Sequence, residues 1–350
     1  MPTLSSLPNE LLLIIFSDAA TNTNAGHITT TVGRACKTFH RLIRSSGIDV
    51  MYTSLRGMDH MKAFLDVIQD REIAQKRVHS LLVVVDRDRD TEDSPSDALS
   101  VLQSIISNIS PSHLRTLFIH FPVRPEDATP CLQFSTVMPV LTDLHLSGIF
   151  ASSSDGLPSR IPNLRHLQLL RIPELSPEHH DLACYLHAVA PHLTHFKLVS
   201  RLPAVDVMSQ VSQDICNFQM SVFFRRTYAR LGLDGDLEAS THAFPSSLEH
   251  IVVRFDSAPG DMKLVERRMA ILLLGSLRDT AEAVKRDSAL TLLPSENVLE
   301  YGSDGVGEDG RGYAAEFVRD WMRVNVGEEL ADWIQAEVAE DLELQELAWP

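Results

Sequence analysis

Leu141-Thr142-Asp143-Leu144-His145-Leu146 is followed, 23 residues on, by Leu164-Arg165-His166-Leu167-Gln168-Leu169. Both read LxxLxL. Side chains alternate between the two faces of a strand, so the fourth and sixth positions share one face and the third and fifth share the other. The same spacing is met upstream in Val78-x-x-Leu81-x-Val83 and Leu114-x-x-Leu117-x-Ile119, and downstream in Leu193-x-x-Phe196-x-Leu198 and Leu248-x-x-Ile251-x-Val253. The six starts lie 36, 27, 23, 29 and 55 residues apart. The last gap is about two repeats long, which predicts a missing or degenerate repeat between 199 and 247. Apolar residues at three- and four-residue spacing predict helices between the strands, over Ser96–Ile109, Pro177–Ala190, Val205–Arg230 and Met262–Lys285. Another runs through Met58, Met61, Phe64, Leu65 and Ile68. The polar stretch Asp86–Asp97, broken by Pro95, is expected to be a loop. Val50–Leu55 predicts an extended piece ahead of the array, and Ala289–Leu293 one that closes it. A single such strand cannot bury its inward apolar residues, whereas stacked neighbours make a continuous core.

This pattern and period resemble a leucine-rich repeat. The resemblance implies an irregular α/β solenoid, with strands along one side and helices covering the other. The outward positions then form two columns on the concave face. One reads Ser80, Thr116, Asp143, His166, His195, His250; the next reads Leu82, Phe118, His145, Gln168, Lys197, Val252. A mixed column of this kind suits the recognition of a protein target as well as it suits an ordinary solvated sheet face. The candidate target-binding residues are Asp143, His145, His166, Gln168, His195, Lys197 and His250.

Ahead of the repeats stands Leu7-Pro8-Asn9-Glu10-Leu11-Leu12-Leu13-Ile14-Ile15-Phe16. Pro8 suits the first turn of a helix, where its missing N–H costs nothing. Glu10 lies where the helix dipole favours a carboxylate. Leu12, Ile15, Phe16 and Ala19 make one apolar stripe, while Leu11 and Ile14 spill onto the neighbouring face. A helix apolar on more than one face implies a partner, in this chain or in another. With Val32-Gly33-Arg34-Ala35-Cys36-Lys37-Thr38-Phe39-His40-Arg41-Leu42-Ile43 downstream, the stretch resembles an F-box. The resemblance covers about residues 4–47. It implies that Leu7, Pro8, Glu10, Leu11, Leu12, Ile15, Phe16, Val32, Cys36, Lys37, Phe39 and Leu42 contact a Skp-type adaptor or form the core behind that contact.

Composition sets limits on function. The 350 residues carry a formal charge of −16, which argues against nucleic acid or an anionic membrane as partner. Four widely spaced cysteines without a CxxC read as reduced thiols rather than a disulfide frame or zinc finger. No signal peptide is expected, since Glu10 interrupts the N-terminal apolar run, and no apolar run approaches a membrane span. A cytoplasmic or nuclear protein is therefore expected. Residues 295–350 hold 15 acidic side chains against 3 arginines, with all three tryptophans. Tyr313, Phe317, Trp321 and Val324 form one helical stripe there. This segment either caps the last repeat, with an acidic tail beyond, or docks into the concave face or recruits a partner.

Other motifs are weak. His180, Cys184 and His187 share a helix face, with His179 and His192 nearby, but no fourth ligand is evident, and no metal site is expected. Gly305-Val306-Gly307-Glu308-Asp309-Gly310 fits GxGxxG, yet it sits late in the chain among carboxylates that would repel a pyrophosphate. No catalytic motif and no cofactor are indicated.

The expected architecture is α/β: a helical F-box-like module over 1–47, a leucine-rich-repeat-like solenoid over 48–294, and an acidic cap or tail over 295–350. The resemblance implies a non-enzymatic adaptor that links a Skp-type protein, and through it a cullin–RING ubiquitin ligase, to an unknown target protein. The alternative is a repeat-only scaffold without a ligase link.

Overall fold

The computed structural model describes residues 7–21, 28, 31–85, 95–122, 129–152, 160–172, 181–201, 205–231, 244–256, 268–269, 272–273, 275–277, 279, 289–293 and 313–325. Helices α1 (Asn9–Thr21), α2 (Val32–Ala35) and α3 (Lys37–Ser46) come first. After them stand β1 (Tyr52–Arg56), α4 (Gly57–Gln69), β2 (Ser80–Val84), α5 (Pro95–Asn108) and β3 (Thr116–His120). Next are β4 (Cys131–Gln133), β5 (Asp143–Ser147), β6 (Phe150–Ser152), β7 (His166–Ile172), α6 (Leu182–Val189) and β8 (His195–Arg201). The remaining elements are α7 (Val205–Leu231), β9 (His250–Asp256), β10 (Leu290–Leu292) and α8 (Tyr313–Asn325). Among the described residues no helix is long and apolar enough to cross a membrane.

The fold is mixed α/β. Its eight-stranded sheet has the order β1-β2-β3-β5-β7-β8-β9-β10, the order of the chain, while β4 and β6 form a separate two-stranded sheet. The pairs β1–β2, β2–β3, β7–β8, β8–β9 and β9–β10 are parallel. The LxxLxL alignment is also the ladder register: Ser80 pairs with Thr116, His166 with His195, and His195 with His250. The same turn precedes several strands. Leu164, Leu193 and Leu248 donate their amides to Ile161, Ala190 and Pro245 at 3.2, 3.1 and 2.9 Å. The next two amides then share one carbonyl of the preceding repeat. Thr194 and His195 donate to Arg165 at 2.9 and 3.0 Å, and Arg115 and Thr116 donate to His79 at 2.8 and 3.1 Å. Backbone groups that would otherwise be orphaned at the strand entry are satisfied in this way.

Two sequence expectations change. No repeat is missing between 199 and 247, because β8 pairs directly with β9 and the gap is filled by the 27-residue helix α7. At 1.5 Å per residue this helix is roughly 40 Å long. Its buried stripe is Val207, Met208, Val211, Ile215, Phe218 and Val222. Pro95 opens α5 rather than interrupting a loop, as suits a residue with no N–H to donate in the first turn. Residues 86–94 lie outside the described ones. The extended piece before the repeats is a full member of the sheet, as β1.

Contacts divide the chain into two compact units, the first of which holds the whole of residues 1–47 together with the first strands of the sheet. One unit holds Met1–Pro122, Leu132–Leu144 and Asp304–Glu329; the other holds Val123–Cys131, His145–Ser303 and Leu330–Pro350. In the first unit, α1 and α3 close a small core of Leu12, Phe16, Ala20, Ile28, Phe39, Ile43 and Ile48. The Phe16 and Phe39 rings meet edge-on with centroids 5.1 Å apart. Cys36, between α2 and α3, caps α3 by accepting the Phe39 amide on its sulfur at 3.4 Å. The helices are fixed to the start of the sheet: Met51 and Tyr52 pack on this core, and Arg71 donates from Nη1 and Nη2 to the two carboxylate oxygens of Asp49, at 2.8 and 2.5 Å.

In the same unit, α4 buries Met61, Phe64 and Ile68, and α5 buries Leu102, Ile105 and Ile106. As crossovers between parallel neighbours they fall on one side of β1, β2 and β3. Helix α8 covers the other side of β2 and β3. Phe317 lies edge-on to Phe118 at 5.2 Å, and the Trp321 indole N–H donates to the Ser80 hydroxyl at 2.7 Å. Burial records the difference. Every residue of β2 and β3 is buried, while β1, at the edge, alternates and exposes Ser54 and Arg56. Strands covered on both faces are the usual state of a parallel sheet.

In the second unit, α6 buries Leu182, Ala183, Tyr185, Leu186 and Val189. Its start is capped by Asp181, which accepts the Cys184 amide at 2.7 Å. The Tyr185 hydroxyl donates to the Ala151 carbonyl at 3.1 Å, and burial raises its pKa. Arg225 of α7 donates to the Ser246 and Leu248 carbonyls, tying the helix to the turn before β9.

Candidate functional site

The residues of the F-box-like set separate by burial. Leu12, Phe16 and Phe39 are core. Leu7, Val32, Cys36 and Leu42 are half-buried against that core. Pro8, Glu10, Leu11, Ile15 and Lys37 face outward. The apolar stripe of α1 differs from the expected one. The core line is Leu12, Phe16, Ala20, in steps of four, and Ile15 is turned out with 43% of its surface exposed. Leu11 and Ile14 are 47% and 66% exposed. A helix keeps one face toward a small core, so three consecutive apolar residues cannot all be inside. Ile14 is the most exposed of them, and nothing in the run Leu13-Ile14-Ile15 marks it out beyond its place on the neighbouring face. The result is an apolar outward face of Leu11, Ile14 and Ile15, flanked by Pro8.

The sheet positions expected to line a solvated concave face are less open than that expectation. His145, Gln168 and Lys197 are 1%, 4% and 5% exposed, and Leu82, Phe118 and Val252 of the same column are buried too. At these positions the sheet face is covered rather than solvated. Asp143, His166, His195 and His250 are half-buried. Asp143 accepts the Thr142 hydroxyl at 2.5 Å.

The parallel register brings three of these side chains into one row. His166 and His195 have ring centroids 5.1 Å apart, and His195 and His250 are 6.4 Å apart and stacked. Thr194 Oγ1 and Thr291 Oγ1 lie 3.0 Å from ring nitrogens of His195 and His250 respectively. Burial, and then His166, lower the pKa of His195 against the opposing pull of Glu249. Burial, and then His195 and Arg226, lower that of His250. The first unit holds a second pair. His79 and His113 stack at 5.7 Å. His79 is pushed down to about 4 by burial, then by His113, Arg115 and Arg77. His113 is lowered by burial, then by Arg77 and Arg115.

Of the metal-spaced set, Cys184 is exposed and His187 half-buried on α6, and His192 is exposed. His179 and His180 lie outside the described residues, as does the glycine-rich stretch 305–310. Among the described residues, no group of three or more His, Cys, Asp or Glu is placed to hold a metal ion. The four cysteines are unbridged. No family model matches the chain, and a comparison with curated proteins finds no match.

Proposed function

We propose that the N-terminal helices are an F-box-type docking module for a Skp-type adaptor, and that the repeat sheet behind them holds a target protein for a cullin–RING ubiquitin ligase. The chain itself is not an enzyme in this reading. It brings a lysine of the target close to the charged ubiquitin carrier, so its contribution is proximity. One observation carries the reading: α1 buries Leu12 and Phe16 in its own core and still turns Leu11, Ile14 and Ile15 to the outside. An apolar face of that kind on a small helical module marks an interaction site. A cytoplasmic or nuclear location belongs to the same proposal.

The test is co-purification of the full chain with a purified Skp-type adaptor. The wild type is expected to retain the adaptor. The Leu11→Ala/Ile14→Ala variant is expected to lose it by more than about tenfold, since each exposed side chain contributes on the order of 1 kcal/mol or more when buried. Its circular dichroism should be unchanged, because neither side chain belongs to the core. Undiminished capture by the double variant would remove the proposal.

A second reading has its own support. The helices do not stand apart from the sheet: they share a compact unit with β1, β2 and β3, joined through Asp49–Arg71 and the close approach of Gly47 to Gln75. That favours a scaffold in which the helices cap the repeats. It predicts no adaptor capture by the wild-type chain.

A further inference from the structure

Between Asp18 and Asp49 the sequence contains no acidic residue, while Arg34, Lys37, Arg41 and Arg44 fall within eleven positions of it, with His40 among them. In a chain of net charge −16 this is a local reversal of sign. The structure gathers these side chains around one groove of about 600 Å³, lined by Arg34, Lys37, His40, Arg41, Arg44 and, from the Ile73–Gln75 turn, Gln75. Arg34, Lys37, His40, Arg41 and Arg44 are exposed. None of their side chains has a hydrogen bond or ion pair with another described residue.

We propose that this groove binds a short acidic segment of a partner protein. Lys37, Arg41 and Arg44 are spaced i, i+4, i+7 on α3, so they form a single stripe roughly 10 Å long. The opposite face of α3 is committed to the core through Phe39 and Ile43. An extended peptide covers such a stripe with about three or four residues. Its carboxylates would meet guanidinium forks, which hold planar anions through paired hydrogen bonds. The volume lies within the usual range of ligand clefts. The rest of the molecule selects against a long polyanion. A nucleic acid carries charge far beyond the groove, where the net negative chain would repel it. A peptide of a few residues keeps its charge inside.

This inference goes beyond the adaptor reading, and holds whether or not the adaptor docks on α1. The probe is fluorescein-labelled octaglutamate, titrated with the full-length chain by fluorescence anisotropy at low and physiological salt. Saturable binding that weakens with salt is expected, with octaglutamine inert. Arg41→Glu/Arg44→Glu should lose at least about tenfold in affinity, and the milder Lys37→Gln/Arg41→Gln should lose less, with native circular dichroism in both. Leu11→Ala/Ile14→Ala should bind the peptide within about twofold of wild type, so that failure of the adaptor reading and failure of this one are told apart. The proposal is overturned if octaglutamine binds equally or if the charge-reversed variant binds unchanged. It is also overturned if inorganic phosphate or a DNA duplex displaces the peptide at concentrations below the peptide's own.

Discussion

Gly47 ends α3 in the left-handed region, with φ of 74°, and its amide returns to the Arg44 and Ile43 carbonyls. A methyl group on it would run into the Gln75 carbonyl oxygen. Two costs therefore add in Gly47→Ala: about 1–2 kcal/mol for a side chain in the left-handed region, and the displacement of backbone that Asp49 and Arg71 hold in place. The variant should lose at least about 2 kcal/mol of unfolding free energy, read from its urea midpoint; a change under about 0.5 kcal/mol would show that the junction yields freely. Single residues also explain why the sequence misplaced Ile15. Leucine-rich runs offer several stripes of similar apolarity, and the choice of Leu12, Phe16 and Ala20 was made by Phe39 and Ile43 on another helix. No local pattern contains that information.

Among the elements, α8 is the clearest case of a stripe legible in sequence with an illegible partner. Phe317 and Trp321 are one helical turn apart, and both are buried. Their neighbours, Phe118 and Ser80, are some two hundred residues earlier, and the helix covers the first strands of the array rather than capping the last. Within residues 295–350, the described helix α8 lies on β2 and β3. If α8 is integral to the first unit, Trp321→Ala should cost about 3–5 kcal/mol, as for other buried aromatics. Ser80→Ala should cost less, about 1 kcal/mol, since it removes only a hydrogen-bond partner. Far-UV circular dichroism during urea unfolding measures both. An unchanged midpoint for Trp321→Ala would mean that α8 is an appendage to a sheet stable without it. In the long gap before β9 the helix over Val205–Arg230 is legible, and α7 spans Val205–Leu231; the strand pairing around it is not. A 55-residue spacing leaves room for a lost strand beside that helix, and the direct β8–β9 pairing decides against it.

For the whole molecule, the strand ladder was legible and its covering was not. LxxLxL fixes which residues share a face and which positions pair, because both follow from a period of two. It does not say whether the second face meets water, and so Gln168 and Lys197, read as solvated, are buried. The same ladder has a consequence for acid stability. Parallel register stacks His195 on His250 and places His79 on His113, each pair half-buried and each member with a lowered pKa. Arg77 and Arg115 beside His79, and Arg226 beside His250, add to the shift; Glu249 beside His195 opposes it. In the unfolded chain these rings titrate near 6.5. Their contribution to stability is thus fully present above about pH 6.5 and is lost as pH falls, for His79 down to its folded value of about 4. Acidification also relieves the repulsion of a chain with 47 carboxylates against 31 lysines and arginines, which acts the other way. The two effects are separated by replacing the rings. The wild-type melting temperature should fall more steeply between neutral pH and pH 5 than that of His79→Gln/His195→Gln, while repulsion relief is common to both proteins. Parallel pH profiles for the two in differential scanning calorimetry would show that the stacked histidines titrate as freely as in the unfolded chain.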